Sequence, residues 1–226
     1  RRQSPRSSEA AMLSFPEEIV LLLLDETDGD FVPLPESVFA IVMGGAALMD
    51  LALHNRIDTD LEKMIVVDRT PVGDDILDDA LKGLGKGKSE LSIADALYDV
   101  AVSAEEYRSL ALRRLIARGI LNEVNGRHLW VFRTRRYPVI DNSEQQEVRA
   151  RLRQLLLSND IPDPRDVVLV CLIDACALAG FVLSAAELDV ASPRIEQLRK
   201  MDLIGQAVTK AASETEAIIK FAATTM

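Results

Sequence analysis

The stretch EEYRSLALRRLIARGILNEVNGRHLWVF, Glu105 to Phe132, decides the fold class. At about 100° per residue its first half gathers Ala111, Leu112 and Leu115 on one face, the period of an amphipathic helix. Gly119 then stands where helices end in the left-handed region that glycine tolerates best. Two short alternating runs, Ile120–Val124 and Arg127–Phe132, flank Asn125-Gly126, a strong local signal for a tight β-hairpin. A helix, a glycine stop and a hairpin predict a mainly helical domain with small β elements.

Working outward, Phe15–Leu24 reads as a deeply packed helix, with Glu17 and Glu18 favouring its positive N-terminus. Ser37–His54 is a second helix, rich in small residues around Gly44-Gly45, and Leu61–Asp68 suits a short strand. Asp74–Leu81 is a capped helix start, followed by a Gly/Lys turn over Gly83–Lys88 and a helix over Ser92–Val100. Gln145–Leu157, Arg165–Leu183, Pro193–Met201 and Thr209–Ala223 complete the helices. The most apolar run, Val167–Ala186, has the roughly 20 residues of a bilayer span. Asp174 in its middle would cost about 2.5–3.5 kcal/mol there, so it reads as the buried central helix of a soluble bundle. Residues 12–226 are expected to form one domain, a helix bundle around that helix with small β-hairpins at one face. Residues 1–11, Arg- and Ser-rich without an apolar follow-on, read as a disordered tail or an expression remnant.

Composition removes several function classes. The 226 residues are 48% hydrophobic and only 4% aromatic, so the core is aliphatic. Two cysteines exclude a disulfide scaffold, and two histidines leave little for zinc. Cys171 and Cys176 point about 140° apart on a helix, so they read as inert core. Asp25–Asp30 lacks the ligand run of a calcium loop, and Gly44-Gly45 lacks the Lys-Ser/Thr of a phosphate loop. Asp74, Asp75, Asp78 and Asp79 read as capping groups and a solvated face. Nothing groups Ser, His and Asp into a catalytic set, so neither an enzyme nor a cofactor is expected.

Charge is unevenly spread. From Arg108 to Arg153 there are eleven arginines, no lysine and four acids, a local +7 in a chain of net −10. A planar guanidinium grips phosphate through two donors, which an ammonium cannot do. Arg108 falls on the apolar face between Leu112 and Leu115, while Arg114 and Arg118 flank that face as an i, i+4 pair. Arg108 needs an anionic partner, or its stem packs while its head reaches water. Arg135-Arg136-Tyr137-Pro138-Val139-Ile140 joins cations to an apolar tip. That suits a membrane interface; folding back onto the domain is the other reading.

Leu13–Glu18 before Leu21–Leu24, Leu51–Ile57, and above all Pro71–Lys82 resemble the Golgi phosphoprotein 3 family. The helix–Gly119 junction and Arg136-Tyr137-Pro138-Val139 fall in that family's order, and the resemblance spans about residues 12–205. It implies a mainly helical, lipid-binding adaptor that reads phosphatidylinositol 4-phosphate on Golgi membranes and holds glycosyltransferase tails. It also implies an apolar hairpin entering the bilayer, its tip at Val139 and Ile140 here. The family's headgroup pocket aligns with Pro35, Gly44, Glu105 and Arg108, of which only Arg108 keeps its character. With the Ala/Arg/Asp-rich composition, this fits a bacterial relative. The expected function is peripheral docking on an anionic lipid, phosphatidylinositol 4-phosphate or another acidic phospholipid. Arg108, Arg114, Arg118, Arg135 and Arg136 would bind headgroups, with Tyr137, Val139 and Ile140 as the inserting tip. Cytosolic tails of membrane proteins are further expected partners. The location would be cytoplasmic and reversibly membrane-bound, on the Golgi's cytosolic face if the source is eukaryotic. A winged-helix DNA reader and a lipid-independent protein-interaction module are the alternatives.

Overall fold

The computed structural model describes residues 12–25, 29–60, 63–125 and 135–224. In chain order the elements are α1 (Phe15–Leu22), α2 (Glu36–Leu53), β1 (Ile57–Thr59), β2 (Lys63–Val66), α3 (Asp75–Gly83), β3 (Glu90–Ser92), α4 (Ile93–Ala101) and α5 (Ala104–Ala117). There follow β4 (Val124–Asn125), β5 (Arg135–Arg136), α6 (Ser143–Leu157), α7 (Pro164–Ala175), α8 (Ala179–Val182), α9 (Ala185–Arg199) and α10 (Leu203–Thr224). The expected mainly helical class is what the chain adopts. Its helix ends are set by side chains close in sequence. Ser14 and Glu17 form a capping box on α1, Ser184 and Glu187 another on α9, and Ser92 caps α4. Gly119 closes α5 at φ 75°, and Ile120 N–H reaches back to Leu115 O.

The bundle is built around α2, not around the 167–186 run. Helix α2 packs against α1, α3, α4, α5, α7 and α10, and Ile41 to Leu51 are buried without a break. Gly44 makes the closest approach possible: a Cβ there would stand 3.1 Å from Ala101 N and Leu97 O of α4. By length and composition α2 could cross a membrane, but 72% of it is buried inside the fold. The 167–186 run breaks into pieces. Helix α7 stops at Cys176, where Ala177 turns left-handed at φ 55° and Leu178 N–H returns to Ile173 O. The Ser184 cap then starts α9, which runs through Pro193 rather than beginning there. Apolarity gave that run its burial, and backbone capping gave it its length.

Two small sheets complete the domain. Strands β1, β2 and β3 form an antiparallel sheet in that order, pairing Ile57 with Val66 and Met64 with Leu91. Only β2 was expected, because three-residue strands are too short to show alternation. In the second sheet Val124 pairs with Arg136 and Asn125 with Arg135. A two-residue turn at Asn125-Gly126 would have paired Val124 with Arg127; Val124 is paired with Arg136 instead. The expected second strand, Arg127–Phe132, lies outside the described residues.

Candidate functional site

Helix α5 buries Tyr107, Ala111, Leu112 and Leu115, and this facing decides where its arginines go. One turn into the helix, Arg108 lays its guanidinium over two rings, 5.1 Å from the centre of Phe39 and 5.5 Å from that of Phe31. It also pairs with Glu105 on its own helix. Both readings of Arg108 are thus combined: the group packs, and it has an anion. Phe31 meets Tyr137 edge-on at 6.2 Å, and Asp30 pairs with Arg136 at 3.2 Å. The loop bearing Asp30 and Phe31 is clasped to the second sheet, because Tyr137 N–H donates to Gly29 O at 2.8 Å. Arg108, Arg136 and Tyr137 are thereby gathered around Phe31. Sequence reasoning missed Phe31 and Phe39. Phe31 lies outside any helix, so periodicity could not flag it.

Residues 137–140 are the base of the hairpin rather than its tip. Asn122 N–H donates to Pro138 O, Ile140 N–H donates to Ile120 O, and Val139 bridges Leu121. Tyr137 and Val139 are half-buried against the core, so of the expected tip only Ile140, 64% exposed, faces outward. The chain hydrogen-bonds back along Ile120–Asn122, so the apolar run is needed for packing. Arg135 sits beside Arg136 in β5, opposite Asn125.

Arg114 and Arg118 lie about 9 and 15 Å farther along α5 at 1.5 Å per residue. Arg114 bonds Asp74 at 2.7 Å, and Arg118 stands 3.7 Å from Glu144. Arg108, Arg114, Arg118 and Arg136 are thus each met by a carboxylate of this chain, which corrects the picture of one free cationic face. The reason is that the acids come from other segments: Asp30, Asp74, Glu105 and Glu144. A charge count along a window cannot see them. One of the four positions aligned with a headgroup pocket also falls away: Gly44 is sealed against α4.

The Pro71–Lys82 motif is architectural, as its capping reading expects. Asp74 accepts from Ile76 and Leu77 N–H while holding Arg114. Asp78 accepts from Val72 and Gly73 N–H, and Asp79 accepts from the buried Tyr107 hydroxyl. Beside it opens a cavity of about 720 Å³ lined by Arg114, Arg118, Arg165, Asp50, Asp74 and His54 among others. Among the described residues no group of three His, Cys, Asp or Glu could hold a metal. Burial pushes the Cys171 thiol up to about 12, which leaves it protonated at neutral pH.

Under that cavity lies a buried ionic network. Glu18 receives Arg165 at 2.7 Å and Arg151 at 3.4 Å; Arg151 also bonds Asp166 at 2.6 Å. Asp50 accepts Phe15 N–H and stands 3.7 Å from Arg165. Burial pushes the Glu18 carboxyl up to about 7, against the pull of Arg165 and Arg151, and that of Asp50 up to about 6. A carboxyl with a raised native pKa binds more protons folded than unfolded between its two values. Its stabilisation is complete below the unfolded value, near 4, and fades as pH rises through the native one. The protein is expected to melt at a higher temperature near pH 5.5 than near pH 8, and Glu18→Gln should flatten the profile. Melting curves that rise toward pH 8 would contradict this assignment.

No curated protein matches the chain. The Golgi phosphoprotein 3 (GPP34) family model matches residues 15–215, nearly the whole described domain. Helical architecture, motif order and this match agree, and the chain belongs to the Golgi phosphoprotein 3 family.

Proposed function

We propose that this protein is a non-enzymatic, peripheral membrane domain that docks reversibly on anionic lipid headgroups from the cytoplasmic side. The observation that carries the reading is Arg108, seated on Phe31 and Phe39 beside the β4–β5 hairpin. Its partner Glu105 is largely exposed, while Arg136 and Asp30 are half-buried. Ion pairs to exposed carboxylates contribute about 0–1 kcal/mol, so an incoming phosphate displaces Glu105 from Arg108 at little cost. Arg114 differs, because Asp74 is committed to capping α3 as well. Arg108 and Arg136, with Tyr137 and Ile140, are therefore the headgroup-facing set, and Arg114 and Arg118 hold the fold. The ligand class is an acidic phospholipid, phosphatidylinositol 4-phosphate being the family's choice, and tails of membrane proteins are the partners this adaptor role implies. A DNA reader fits less well: the exposed side of α5 begins with Glu105 and Glu106, which repel a phosphate backbone.

Vesicle flotation tests the reading. Recovery with phosphatidylcholine vesicles containing phosphatidylglycerol should exceed that with phosphatidylcholine alone by about tenfold. It should fall by at least tenfold in Arg108→Ala/Arg136→Glu, given roughly 1 kcal/mol per basic residue at an anionic surface. Trp130 is the chain's single tryptophan and lies in the sequence linking β4 to β5. Its emission should shift to the blue on docking. Equal recovery from neutral and anionic vesicles, unchanged by the variant, ends the proposal.

A further inference from the structure

Three cations without an ion pair among the described residues cluster away from the arginine site. Lys82, Lys86 and Lys88 are exposed, and among the described residues their side chains have no ion pair or hydrogen bond. The seven residues Lys82–Lys88 carry +3 and no acid, in a chain of −10. This loop is held in shape from below. Arg69 donates to three of its carbonyl neighbours, Leu81 O at 3.0 Å, Leu84 O at 3.1 Å and Lys88 O at 2.7 Å. Asp99 of α4 takes Gly85 N–H at 3.0 Å. Between these braces Gly85, Lys86 and Gly87 are all left-handed, at φ 61°, 46° and 94°. A side-chain-bearing residue is strained there, and such strain persists where surrounding structure over-determines it.

The brace also places an apolar stripe beside the lysines. Tyr98 of α4 and Val102, the residue that caps its C-terminus, lie four residues apart, about 80° around the helix axis from Asp99. They are 50% and 84% exposed.

We propose that the Lys82–Lys88 loop and the Tyr98–Val102 stripe form a second contact surface for an anionic lipid bilayer, deepening the membrane reading and resting on it. Lysines are compact charges that respond to a diffuse negative surface rather than to one forked ligand. A tyrosine and an aliphatic residue beside them match the headgroup–acyl boundary, where amphipathic side chains are favoured. Of the nearby acids, Asp99 is engaged by Gly85, Asp79 by Tyr107 and Glu90 by Lys63, which leaves the exposed Asp95 of α4 as an acid beside the stripe for the three lysines to outweigh.

The test is flotation with phosphatidylcholine vesicles, with and without phosphatidylglycerol. It compares the wild type, Lys82→Gln/Lys86→Gln/Lys88→Gln, Val102→Ser, and Arg108→Ala/Arg136→Glu. The exposed lysine side chains make no ion pair or hydrogen bond among the described residues, so the triple variant should melt with the wild type. It should lose at least tenfold in anionic-vesicle binding, and Val102→Ser a few-fold. Loss in the triple variant alone supports this surface and removes the arginine set from the contact. Loss in both the triple and the arginine variant supports two points of contact. Full binding by the triple variant overturns the lysine surface and leaves membrane docking standing. Failure of the wild type to bind anionic vesicles overturns both, as does lysine-dependent capture of duplex DNA without vesicle binding.

Discussion

Gly29→Ala should cost about 3 kcal/mol or more and lower the melting temperature by roughly 6–12 °C, using about 2–4 °C per kcal/mol for a domain of this size. Two effects combine. Gly29 sits at φ 66°, where an added Cβ costs about 1–2 kcal/mol. That Cβ would also stand 2.3 Å from Pro138 N and 2.4 Å from Tyr137 C. These are backbone atoms held by the Leu121–Val139 bridge and the Asn122 N–H bond to Pro138 O, so they cannot step aside. Gly73→Ala is the matched control. Its φ is 87°, but nothing lies within 4 Å of the new Cβ, so only the conformational part, about 1 kcal/mol, remains. The site should suffer with the fold, because Gly29 O accepts Tyr137 N–H. Amide exchange at Tyr137 should speed up in Gly29→Ala and not in Gly73→Ala. Equal losses of stability in the two variants would show that the loop–hairpin clasp is not tight.

The second large effect is expected at Arg165. Its guanidinium lies 4.2 Å from the centre of Phe15, bonds Leu13 O and serves both Glu18 and Asp50. Glu18 and Asp50 are nearly inaccessible, at 2% and 3% exposure. Replacing one partner of a buried pair leaves an uncompensated charge, a loss of about 3–5 kcal/mol. Arg165→Met should show a loss of that order near pH 8. Part of it should be regained near pH 5.5, where the stranded carboxyls take up protons and become neutral. Adding Glu18→Gln should recover part of the loss at the higher pH as well, since it removes the charge that Arg165 compensates. A loss below 1 kcal/mol, independent of pH, would mean that water reaches these carboxylates. Such a result would also remove the basis for the expected fall in stability between pH 5.5 and pH 8.

The parts of the fold legible in the sequence are those set by near neighbours. The start of α3 at Asp74, the end of α5 at Gly119 and the acidic first turn of α1 are decided within about five residues. The architectural role of Asp74, Asp78 and Asp79 was legible for the same reason, although their distant partners Arg114 and Tyr107 were not. The buried acids were half visible. Asp50 stands between Met49 and Leu51 in an apolar helix, which signals a buried charge but not its partner. Glu17 and Glu18 look alike in sequence; one completes a capping box and the other enters the core between two arginines.

From the chain alone came the helical class, the bounds of α1 to α6 to within about two residues and the presence of a β element after Gly119, because periodicity and capping act over one or two turns. Tertiary structure decided which helix is central, since α2 and α7 are similarly apolar and only packing ranks them. It decided that 137–140 is a base and not a tip, because Val139 is registered against Leu121, eighteen residues away. It also decided which cations are available. Coulomb attraction acts through space, so Asp30 reaches Arg136 and Asp74 reaches Arg114 across the fold. Lys82, Lys86 and Lys88, braced outward by Arg69 and Asp99, meet no such anion.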